Sequence, residues 1–339
     1  MENGPIGATL IVGGGVAGIQ AGLDLAESGF KVYLVEKNET IGGKMAQLDK
    51  TFPTLDCSIC ILAPKMVEIG RHPNVEIISF AEVVEVKKIG QNFHVKILKK
   101  PKYVDEEKCN GCGICAQVCP VSIPNYFDQN LGIRKTISAP FPQSVPLVYV
   151  LNQNYCIDCK ACELVCEAKA IDFNQKPTEI EIDVGAIVIA VGCEMFDPSQ
   201  KKEYGYGIYS NVITSLEFER LLNASGPTGG KIVRISDGME PKRIAFIQCV
   251  GSRDIEVGNP YCSKYCCVAS TKEAIIAKEH LPNIYCEIFF MDVRSYGKGF
   301  EEFTQRAREE FGVKYTRGRI AYIEEDAVTK NLILHYEDL

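Results

Sequence analysis

Two groups of cysteines with one shared spacing constrain the fold of this chain more than any other feature. The first group follows the pattern C-x₂-C-x₂-C-x₃-C and consists of Cys109, Cys112, Cys115 and Cys119. The second group repeats that pattern 47 residues later, at Cys156, Cys159, Cys162 and Cys166. Pro120 follows the first group, and Glu167 takes the corresponding place after the second. The two copies make this part of the chain an internal repeat.

This spacing is the signature of bacterial-type ferredoxins, which bind two [4Fe–4S] clusters through cysteine thiolates. Three close thiolates of each group hold one cluster, and the fourth ligates the other cluster. The predicted ligands of cluster 1 are Cys109, Cys112, Cys115 and Cys166. The predicted ligands of cluster 2 are Cys156, Cys159, Cys162 and Cys119. Structural zinc is disfavoured, because zinc sites use separated cysteine pairs instead of a close triplet.

The composition favours a metal-binding protein of the cytoplasm. The chain has 16 cysteines among 339 residues, and its first nine residues lack the basic and apolar regions of a secretory signal. Cytosolic thiols stay reduced, so a disulfide framework is not expected. The 37 basic and 44 acidic residues give a net charge of −7, which argues against nucleic acid or an anionic membrane as partner. No apolar run approaches the ~18 residues of a membrane-spanning helix, so none is expected.

Before the repeats, the chain has the pattern of a βαβ dinucleotide-binding unit. An apolar run from Thr9 leads into a glycine turn, a segment of helical period follows, and a second short strand ends at Glu36. Gly13, Gly15 and Gly18 have the G-x-G-x-x-G register. In that register the glycines allow a tight turn, close approach of the backbone to a pyrophosphate, and packing of helix on strand. The acidic residue then accepts a hydrogen bond from an adenosine ribose.

Two further segments extend this unit into a predicted FAD domain. Ile41–Lys44 resembles the second flavin contact of flavoproteins with two dinucleotide-binding domains, which favours FAD over NAD. The apolar run 185–192 resembles the strand that rejoins an FAD domain after an insertion. The candidate cofactor-binding residues are Gly13, Gly15, Gly18, Glu36, Lys37, Gly43, Lys44 and Gly192.

The predicted fold class is therefore α/β. It is an FAD-binding Rossmann-like fold with two dinucleotide-binding domains, and it carries an inserted α+β domain of the bacterial 2[4Fe–4S] ferredoxin type. The predicted boundaries are 1–100 for the first part of the FAD domain, 101–176 for the ferredoxin insertion, 177–240 for the return segment of the FAD domain, and 241–339 for a second nucleotide-binding-like domain.

A third cysteine group stands where a pyridine-nucleotide enzyme would have its second glycine-rich turn. The strand 243–249 is followed by a block in which only Gly251 remains of such a turn. The cysteines of this block are Cys249, Cys262, Cys266 and Cys267. A third [4Fe–4S] cluster, a zinc ion and unliganded buried thiols are the open interpretations, and the neighbouring ferredoxin motifs favour the cluster. A metal centre would then replace the nicotinamide site, and electrons would reach the flavin through clusters instead of as hydride.

Several isolated residues keep open alternatives. Cys57 and Cys60 are half of a site completed by a partner chain, a redox pair, or simply packed thiols. Lys272 is either a cation beside the flavin, where it would stabilise the anionic reduced ring, or a solvent-facing helix lysine. Cys193 and Cys286 stand alone, and both are expected to be inert core cysteines.

Four features together resemble the A subunit of heterodisulfide reductase, an iron–sulfur flavoprotein. They are the fingerprint LIVGGGVAGIQAGLDLA, the segment FPTLDCSICILAPKM, the two ferredoxin motifs and the block CVGSRD…YCSKYCC. The resemblance implies a thioredoxin-reductase-like core that binds FAD, a cluster on the third cysteine group beside the flavin, and Lys272 near the flavin ring as candidate catalytic residue. It also implies electron bifurcation in an anaerobe, with one flavin electron passing to a high-potential acceptor and one to ferredoxin.

The same resemblance implies partners and a longer chain. In methanogens the high-potential branch reduces the CoM–CoB heterodisulfide on the B subunit through the C subunit, and a hydrogenase or formate dehydrogenase supplies electrons. Relatives continue to a Gly-Asp flavin contact and often to another ferredoxin pair, so a chain ending at Leu339 is expected to be C-terminally incomplete. The alternative functions are a relay subunit of a quinone-interacting oxidoreductase complex and a non-catalytic ferredoxin-type electron wire on a degenerate flavin fold.

Overall fold

The computed structural model describes residues 4–338, which fold into two compact units. The first unit comprises the residues up to Gln47 together with Ser58–Cys193. The second comprises Leu48–Cys57 together with the residues from Glu194 onwards. Among residues 4–338, no helix has the length and apolar character needed to cross a bilayer.

Within residues 4–338, the first unit contains fifteen α-helices and β-strands. The elements before the insertion are β1 (Ala8–Val12), α1 (Val16–Glu27), β2 (Lys31–Glu36), α2 (Ser58–Arg71), β3 (Val75–Ser79), β4 (Ala81–Ile89) and β5 (Asn92–Lys99). The remaining elements are α3 (Ile114–Val118), β6 (Ser122–Pro124), β7 (Ile133–Lys135), β8 (Ile137–Ser138), β9 (Val150–Leu151), α4 (Ala161–Leu164), β10 (Thr178–Val184) and β11 (Ala186–Ile189).

A parallel sheet in the order β11-β1-β2-β3 lies at the centre of this unit. Its strands are near-continuous apolar runs because both faces of the sheet are covered. Ile11 of β1 packs in the core that contains Ile19 and Leu23 of α1, and Leu10 packs in a second core on the opposite face. The β1-α1-β2 succession is the predicted dinucleotide-binding βαβ unit.

An antiparallel sheet in the order β10-β5-β4 provides that second core. Thr178 at the start of β10 lies opposite Lys99 at the end of β5. The chain thus leaves this sheet and returns to it at the same place, and residues 100–177 form an insertion between two paired strands. The insertion within an FAD-type fold is as predicted.

The insertion consists of two small antiparallel sheets, β6-β7 and β8-β9, and the two short helices α3 and α4. Buried contacts attach it to the rest of the unit. The Lys102 Nζ is fully buried, donates to the Ser79 Oγ at 2.8 Å and pairs with Glu106 at 3.2 Å. Phe127 and Phe141 stack with ring centroids 4.7 Å apart and belong to the core that covers α1. The insertion and the parallel sheet therefore share one core.

The second unit alternates helices and strands. Its elements are α5 (Ser215–Leu222), β12 (Arg243–Ile247), α6 (Cys266–His280), β13 (Tyr285–Phe290), α7 (Phe300–Glu309), β14 (Lys314–Glu325) and β15 (Leu332–Asp338). Strands β12, β13 and β14 are parallel, and β15 pairs antiparallel with β14. The succession β12-α6-β13-α7-β14 makes two consecutive βαβ units, which is the predicted nucleotide-binding-like architecture.

The observed units differ from the predicted boundaries in two places. Residues 194–240, predicted as the return segment of the FAD domain, fold with the second unit, and so does Leu48–Cys57. Buried polar contacts explain both differences. Lys272 of α6 pairs with Glu219 of α5 and donates to the Lys50 carbonyl oxygen at 2.9 Å. A buried ammonium must keep its partners, so both segments stay with α6.

Candidate flavin and iron–sulfur sites

The turn between β1 and α1 requires glycine at two positions. A Cβ on Gly13 would lie 2.3 Å from the Ala190 carbonyl oxygen, and a Cβ on Gly18 would lie 1.9 Å from the Gly13 carbonyl oxygen. A Cβ on Gly15, the N-cap of α1, would meet nothing within 4 Å. Within residues 4–338 no side chain caps this helix, so its first N–H groups open on free space. An uncapped helix N-terminus behind a glycine turn is the setting for a bound pyrophosphate.

Glu36 lies beside the same turn, at the end of β2, and is 4% exposed. Its Oε2 accepts the Gly14 N–H at 2.8 Å, and its Oε1 accepts the backbone N–H and the Nδ2–H of Asn38 at 2.8 Å each. These donors fix the carboxylate against the glycine turn. A carboxylate keeps further lone pairs for a ribose hydroxyl, so this side chain fits its predicted role toward FAD.

The predicted second flavin contact lies against the first. The Gly42 N–H donates to the Gly14 carbonyl oxygen at 2.7 Å, and a Cβ on Gly43 would lie 2.9 Å from the Gly15 Cα. Two segments distant in sequence thus meet at the glycine turn, as one dinucleotide bound by both would require. The other candidate cofactor-binding residues are exposed: Lys37, Lys44 and Gly192.

One cavity in the insertion is lined by all four predicted ligands of cluster 2. These ligands are Cys119, Cys156, Cys159 and Cys162. Ile137 and Leu151 contribute to the apolar part of the lining. Asp158 has a positive φ of 56°, and its N–H donates to the Cys156 Sγ at 3.4 Å. A cavity lined by four cysteines, with an N–H donor to one sulfur, fits a [4Fe–4S] cluster.

Three of the four cysteines predicted for cluster 1, Cys109, Cys115 and Cys166, pack against one apolar core of the insertion, and Cys112 is exposed. Burial raises the pKa of Cys115 to about 12, and the neighbouring Cys109 and Cys112 add to this rise. Cys166 packs against the same core as Cys109, and its Sγ accepts the Ala170 N–H at 3.3 Å. Because thiolates are the ligands of iron, a raised thiol pKa means that cluster assembly must release protons here.

Neither ferredoxin-type group is arranged around a single ion. Within residues 4–338, no group of three or more His, Cys, Asp and Glu side chains could hold a metal ion. The four iron atoms of a cubane each take one thiolate, so cluster ligands surround a cage and not one point. The fit to clusters therefore rests on the cysteine-lined cavity and on the N–H donors to sulfur.

The third cysteine group gathers at the carboxyl end of β12. Cys249 follows that strand with a positive φ of 63°, and Cys266 and Cys267 begin α6. Side-chain hydrogen bonds with Cys249 and Cys267 lower the pKa of Cys266. The Cys262 Sγ accepts the Lys264 N–H at 3.3 Å. The loop after β12 thus brings Cys262, Cys266 and Cys267 close to Cys249, which fits thiolate ligands spread around an iron–sulfur cluster instead of a single ion.

Lys272 lies in a buried charged cluster that sequence reasoning missed. It is fully buried, so the interpretation as a solvent-facing lysine is wrong. Besides the Lys50 carbonyl oxygen and Glu219, the cluster contains Glu273, whose carboxylate accepts the Ser215 hydroxyl. Burial raises the pKa of Glu273, and the nearby charge of Glu219 raises it further. The sequence signal that could have indicated this cluster is the presence of acidic residues within apolar helix segments. The position of Lys272 near the flavin stays a prediction.

The structure gives different outcomes for the isolated cysteines. Cys57 and Cys60, at the start of α2, are disulfide-bonded, so the interpretation as packed free thiols is wrong. The disulfide is the oxidised form expected of a redox pair. Cys286 is buried as expected, but Cys193 is exposed, so its prediction as a core cysteine is wrong.

Known sequence families match two of these regions. The family described as FAD dependent oxidoreductase matches residues 9–53, and the 4Fe-4S dicluster domain matches residues 108–171. The first match spans the glycine turn, Glu36 and the segment Ile41–Lys44. The second spans all the ferredoxin-type cysteines.

Curated relatives align with nearly the whole chain. The second iron–sulfur A subunit of the CoB–CoM heterodisulfide reductase of Methanopyrus kandleri is 59% identical over 329 residues, which are 97% of this chain and 50% of that protein. The chain belongs, over nearly its whole length, to the heterodisulfide reductase A-subunit family. Another member, the A subunit of the H₂:CoB–CoM heterodisulfide,ferredoxin reductase of Methanothermobacter marburgensis, is 56% identical over 94% of this chain and 48% of that protein. The chain spans about half the length of the curated relatives it matches.

Membership in the heterodisulfide reductase A-subunit family confirms the predicted resemblance, and the matched families confirm FAD and [4Fe–4S] clusters as cofactors. The α/β fold with an inserted dicluster domain is also confirmed. The roles of single residues stay predictions. Among solved structures, a thioredoxin reductase of T. acidophilum aligns over 97% of this chain and 74% of that chain, with 13% identity and a TM-score of 0.46.

Proposed function

We propose that this chain is the flavin- and cluster-binding, electron-transferring part of a heterodisulfide-reductase-like complex. The glycine turn would hold FAD, the insertion would hold two clusters and the third cysteine group would hold one, and together these cofactors would supply electron transfer. The observation that carries this proposal is the position of that third group at the carboxyl end of β12. Nucleotides bind at the carboxyl ends of strands in such folds. Thiols at this place favour electron entry through a cluster instead of hydride transfer from a nicotinamide.

The residues of the chain have separate tasks toward the flavin. The open N-terminus of α1 in front of Gly15 binds the pyrophosphate, and the Glu36 carboxylate accepts a ribose hydroxyl. Lys272 is the proposed cation near the flavin ring, where its charge favours the anionic reduced form. Bound flavin supplies the change between two-electron and one-electron transfer. Toward the clusters, the cysteines provide thiolates and the apolar core of the insertion limits access of water.

We further propose that the reaction is electron bifurcation. The name of the M. marburgensis relative joins H₂, the CoB–CoM heterodisulfide and ferredoxin in one reaction. Each pair of electrons from the donor is divided, with one electron sent to the heterodisulfide branch and one to ferredoxin. After two such rounds, two electrons and two protons have cleaved the disulfide bond to two thiols, and two electrons reside on ferredoxin. The proposed partners are the B and C subunits, a hydrogenase or formate dehydrogenase, and ferredoxin.

Cofactor content tests the proposal. Iron, acid-labile sulfide and flavin are measured per chain on protein purified and reconstituted without oxygen. We expect about 12 iron atoms, since three cubanes each contain four, together with bound FAD. A reproducible value of about 8, with the third cysteine group reacting as free thiols, would contradict the third cluster. Full iron without flavin would favour the electron-wire alternative.

A matched pair of variants locates the third cluster. Cys262→Ser removes one proposed ligand and is expected to lower the iron content from about 12 to about 8 while flavin stays bound. Cys286→Ser changes a buried thiol of the same unit that lies on β13 and has no proposed ligand role. It is expected to retain the iron content of the unchanged chain. Equal iron in both variants would contradict the assignment of Cys262.

A further inference from the structure

Two buried nitrogen atoms beside the third cysteine group have no hydrogen-bond partner within residues 4–338. They are the Gln248 Nε2 and the Arg253 Nη1. Both residues line one cavity together with Cys249. Buried N–H groups without an acceptor are rare in native proteins, because each leaves a desolvation penalty uncompensated. Two such donors at one cavity indicate that an acceptor belongs there.

Gln248 is held against the cysteines from the end of β12. Its backbone N–H donates to the Phe289 carbonyl oxygen at 3.1 Å, and its side chain is 8% exposed. The Oε1 accepts the Cys267 thiol at 3.3 Å. When Cys267 ligates iron it is a thiolate, which has no proton to donate. The amide can then hydrogen-bond to this sulfur only as a donor, through Nε2–H. A rotation of half a turn about the Cγ–Cδ bond of Gln248 brings Nε2 to the position of Oε1.

Arg253 lines the same cavity and is fixed by groups other than the cysteines. Its Nη2 pairs with Asp292 at 2.9 Å, and its backbone N–H donates to the Tyr261 carbonyl oxygen at 2.8 Å. The guanidinium lies within electrostatic reach of Cys249 and Cys262. Asp292 thus anchors one edge of the guanidinium, and the buried Nη1 is left without an acceptor among residues 4–338.

We propose that Gln248 and Arg253 donate N–H···S hydrogen bonds to sulfur atoms of the third cluster and thereby set its reduction potential. This inference rests on the proposed function, because it needs a cluster on these cysteines. Hydrogen bonds to sulfur and nearby charge are among the factors that set the potential of an iron–sulfur cluster. Both groups stabilise the reduced cluster more than the oxidised one, because the reduced cluster carries more negative charge. They therefore raise its potential and make it a stronger acceptor of electrons.

A redox titration of the full chain, followed by electron paramagnetic resonance, tests this inference. The component that is absent from Cys262→Ser is assigned to the third cluster. In Gln248→Leu and Arg253→Gln, this component is expected to move to lower potential with the iron content kept at about 12. We expect at least a ~10-fold change in the ratio of oxidised to reduced cluster, which is about 59 mV for a one-electron couple. The two ferredoxin-type components are expected to stay in place.

Three further variants make the test specific. Arg243→Gln removes an exposed positive charge at the other end of β12, about 16 Å along the strand, and is expected to leave the potential unchanged. Gln248→Glu keeps the shape of the side chain but replaces the donor by a carboxylate, so its shift is expected to exceed that of Gln248→Leu. Arg253→Lys keeps the charge with fewer donors, so its shift is expected to be smaller than that of Arg253→Gln.

The inference would be overturned if both Gln248→Leu and Arg253→Gln keep an iron content of about 12 and the reduction potential of the third cluster is unchanged in both. If either variant loses the cluster, Gln248→Glu and Arg253→Lys decide by the same criterion. Loss of the cluster in all four variants would also overturn it, since the side chains would then build the site and not tune it. An unchanged chain with about 8 iron atoms is a different failure, because it rejects the third cluster itself.

Discussion

At the scale of single residues, the distance between two backbones decides what α1 tolerates. Alanine in a helix interior is ordinarily more favourable than glycine by about 1 kcal/mol. At Gly18 the added Cβ would lie 1.9 Å from the Gly13 carbonyl oxygen, so helix and strand would have to separate. We expect Gly18→Ala to lower the free energy of unfolding by about 1–3 kcal/mol and to abolish FAD retention. Denaturant unfolding and flavin absorbance measure the two effects.

Gly15→Ala is the matched variant, because its Cβ would meet no atom of the protein within 4 Å. It is expected to leave the free energy of unfolding unchanged and to weaken FAD binding, since the methyl group enters the free space in front of α1. Flavin content equal to that of the unchanged chain would place the pyrophosphate elsewhere.

At this scale, a site could be predicted from the sequence when its residues lie close together in the chain. The glycine turn and the ferredoxin cysteines need close neighbours in sequence, so their spacing alone indicates the chemistry. Lys272 and Gln248 carry no such pattern, because residues far away in sequence bury them. The sequence left three interpretations of Cys57 and Cys60 open, because two cysteines at this spacing are compatible with each of them. The structure shows the disulfide.

At the scale of elements, α5 and α6 are joined by a buried ion pair between Glu219 and Lys272. Lys272→Met would leave the carboxylate buried without its counter-charge, and we expect a loss of about 3–5 kcal/mol in the free energy of unfolding. The double variant Lys272→Met/Glu219→Leu is expected to recover most of this loss, because apolar side chains can replace a buried pair at little cost. Urea unfolding of the single and double variants measures the coupling. Simple additivity would mean that the pair is not coupled.

The stability of this helix pair is also expected to depend on pH through Glu273. Burial raises its pKa above the ordinary value of 4.5, so the folded chain holds a proton that the unfolded chain releases above that pH. The resulting stabilisation is complete below pH 4.5 and is lost as the pH rises through the folded pKa. Glu273→Gln stays neutral at every pH and is expected to flatten this decline. Urea unfolding at a series of pH values measures it.

Glu279→Gln on the same helix is the control for that series. Glu279 is partly exposed and pairs with Lys50 at 3.0 Å, so its replacement is expected to keep the decline of stability with pH. If Glu273→Gln and Glu279→Gln behave alike, the buried carboxyl group is not the origin of the decline.

The element scale also explains the wrong boundary at residues 194–240. The sequence pattern of α5 indicates a helix with a buried face, but it does not indicate which sheet receives that face. Its partners, Lys272 on α6 and Phe246 on β12, come later in the chain. The parallel strands β1 and β11, in contrast, were predictable because their apolar runs end at glycines.

At the scale of the whole molecule, the ferredoxin insertion and the flavin sheet share a core through Phe127 and Phe141. We therefore expect FAD and the two ferredoxin-type clusters to be lost in one thermal transition. Phe127→Ala is expected to lower the stability of both by the same amount, about 3–5 kcal/mol. Flavin fluorescence and cluster absorbance, recorded against temperature, follow the two losses.

Phe30→Ala is the control for this experiment. Phe30 lies just after α1 and is 44% exposed, so its removal is expected to leave the transition in place. Cluster loss well below the temperature of flavin release would mean that the insertion unfolds by itself.

The chain passes between its two units after Gln47, after Cys57 and after Cys193, so neither unit is one continuous stretch of polypeptide. A gene divided at Cys193 would encode a front half that still carries Leu48–Cys57, and a rear half in which Lys272 has lost the Lys50 carbonyl oxygen. The first half-protein would then have to supply the segment Leu48–Cys57 to the second while both fold. Fission of the gene, or its recombination with other genes, is therefore harder here than in proteins whose domains are consecutive in sequence.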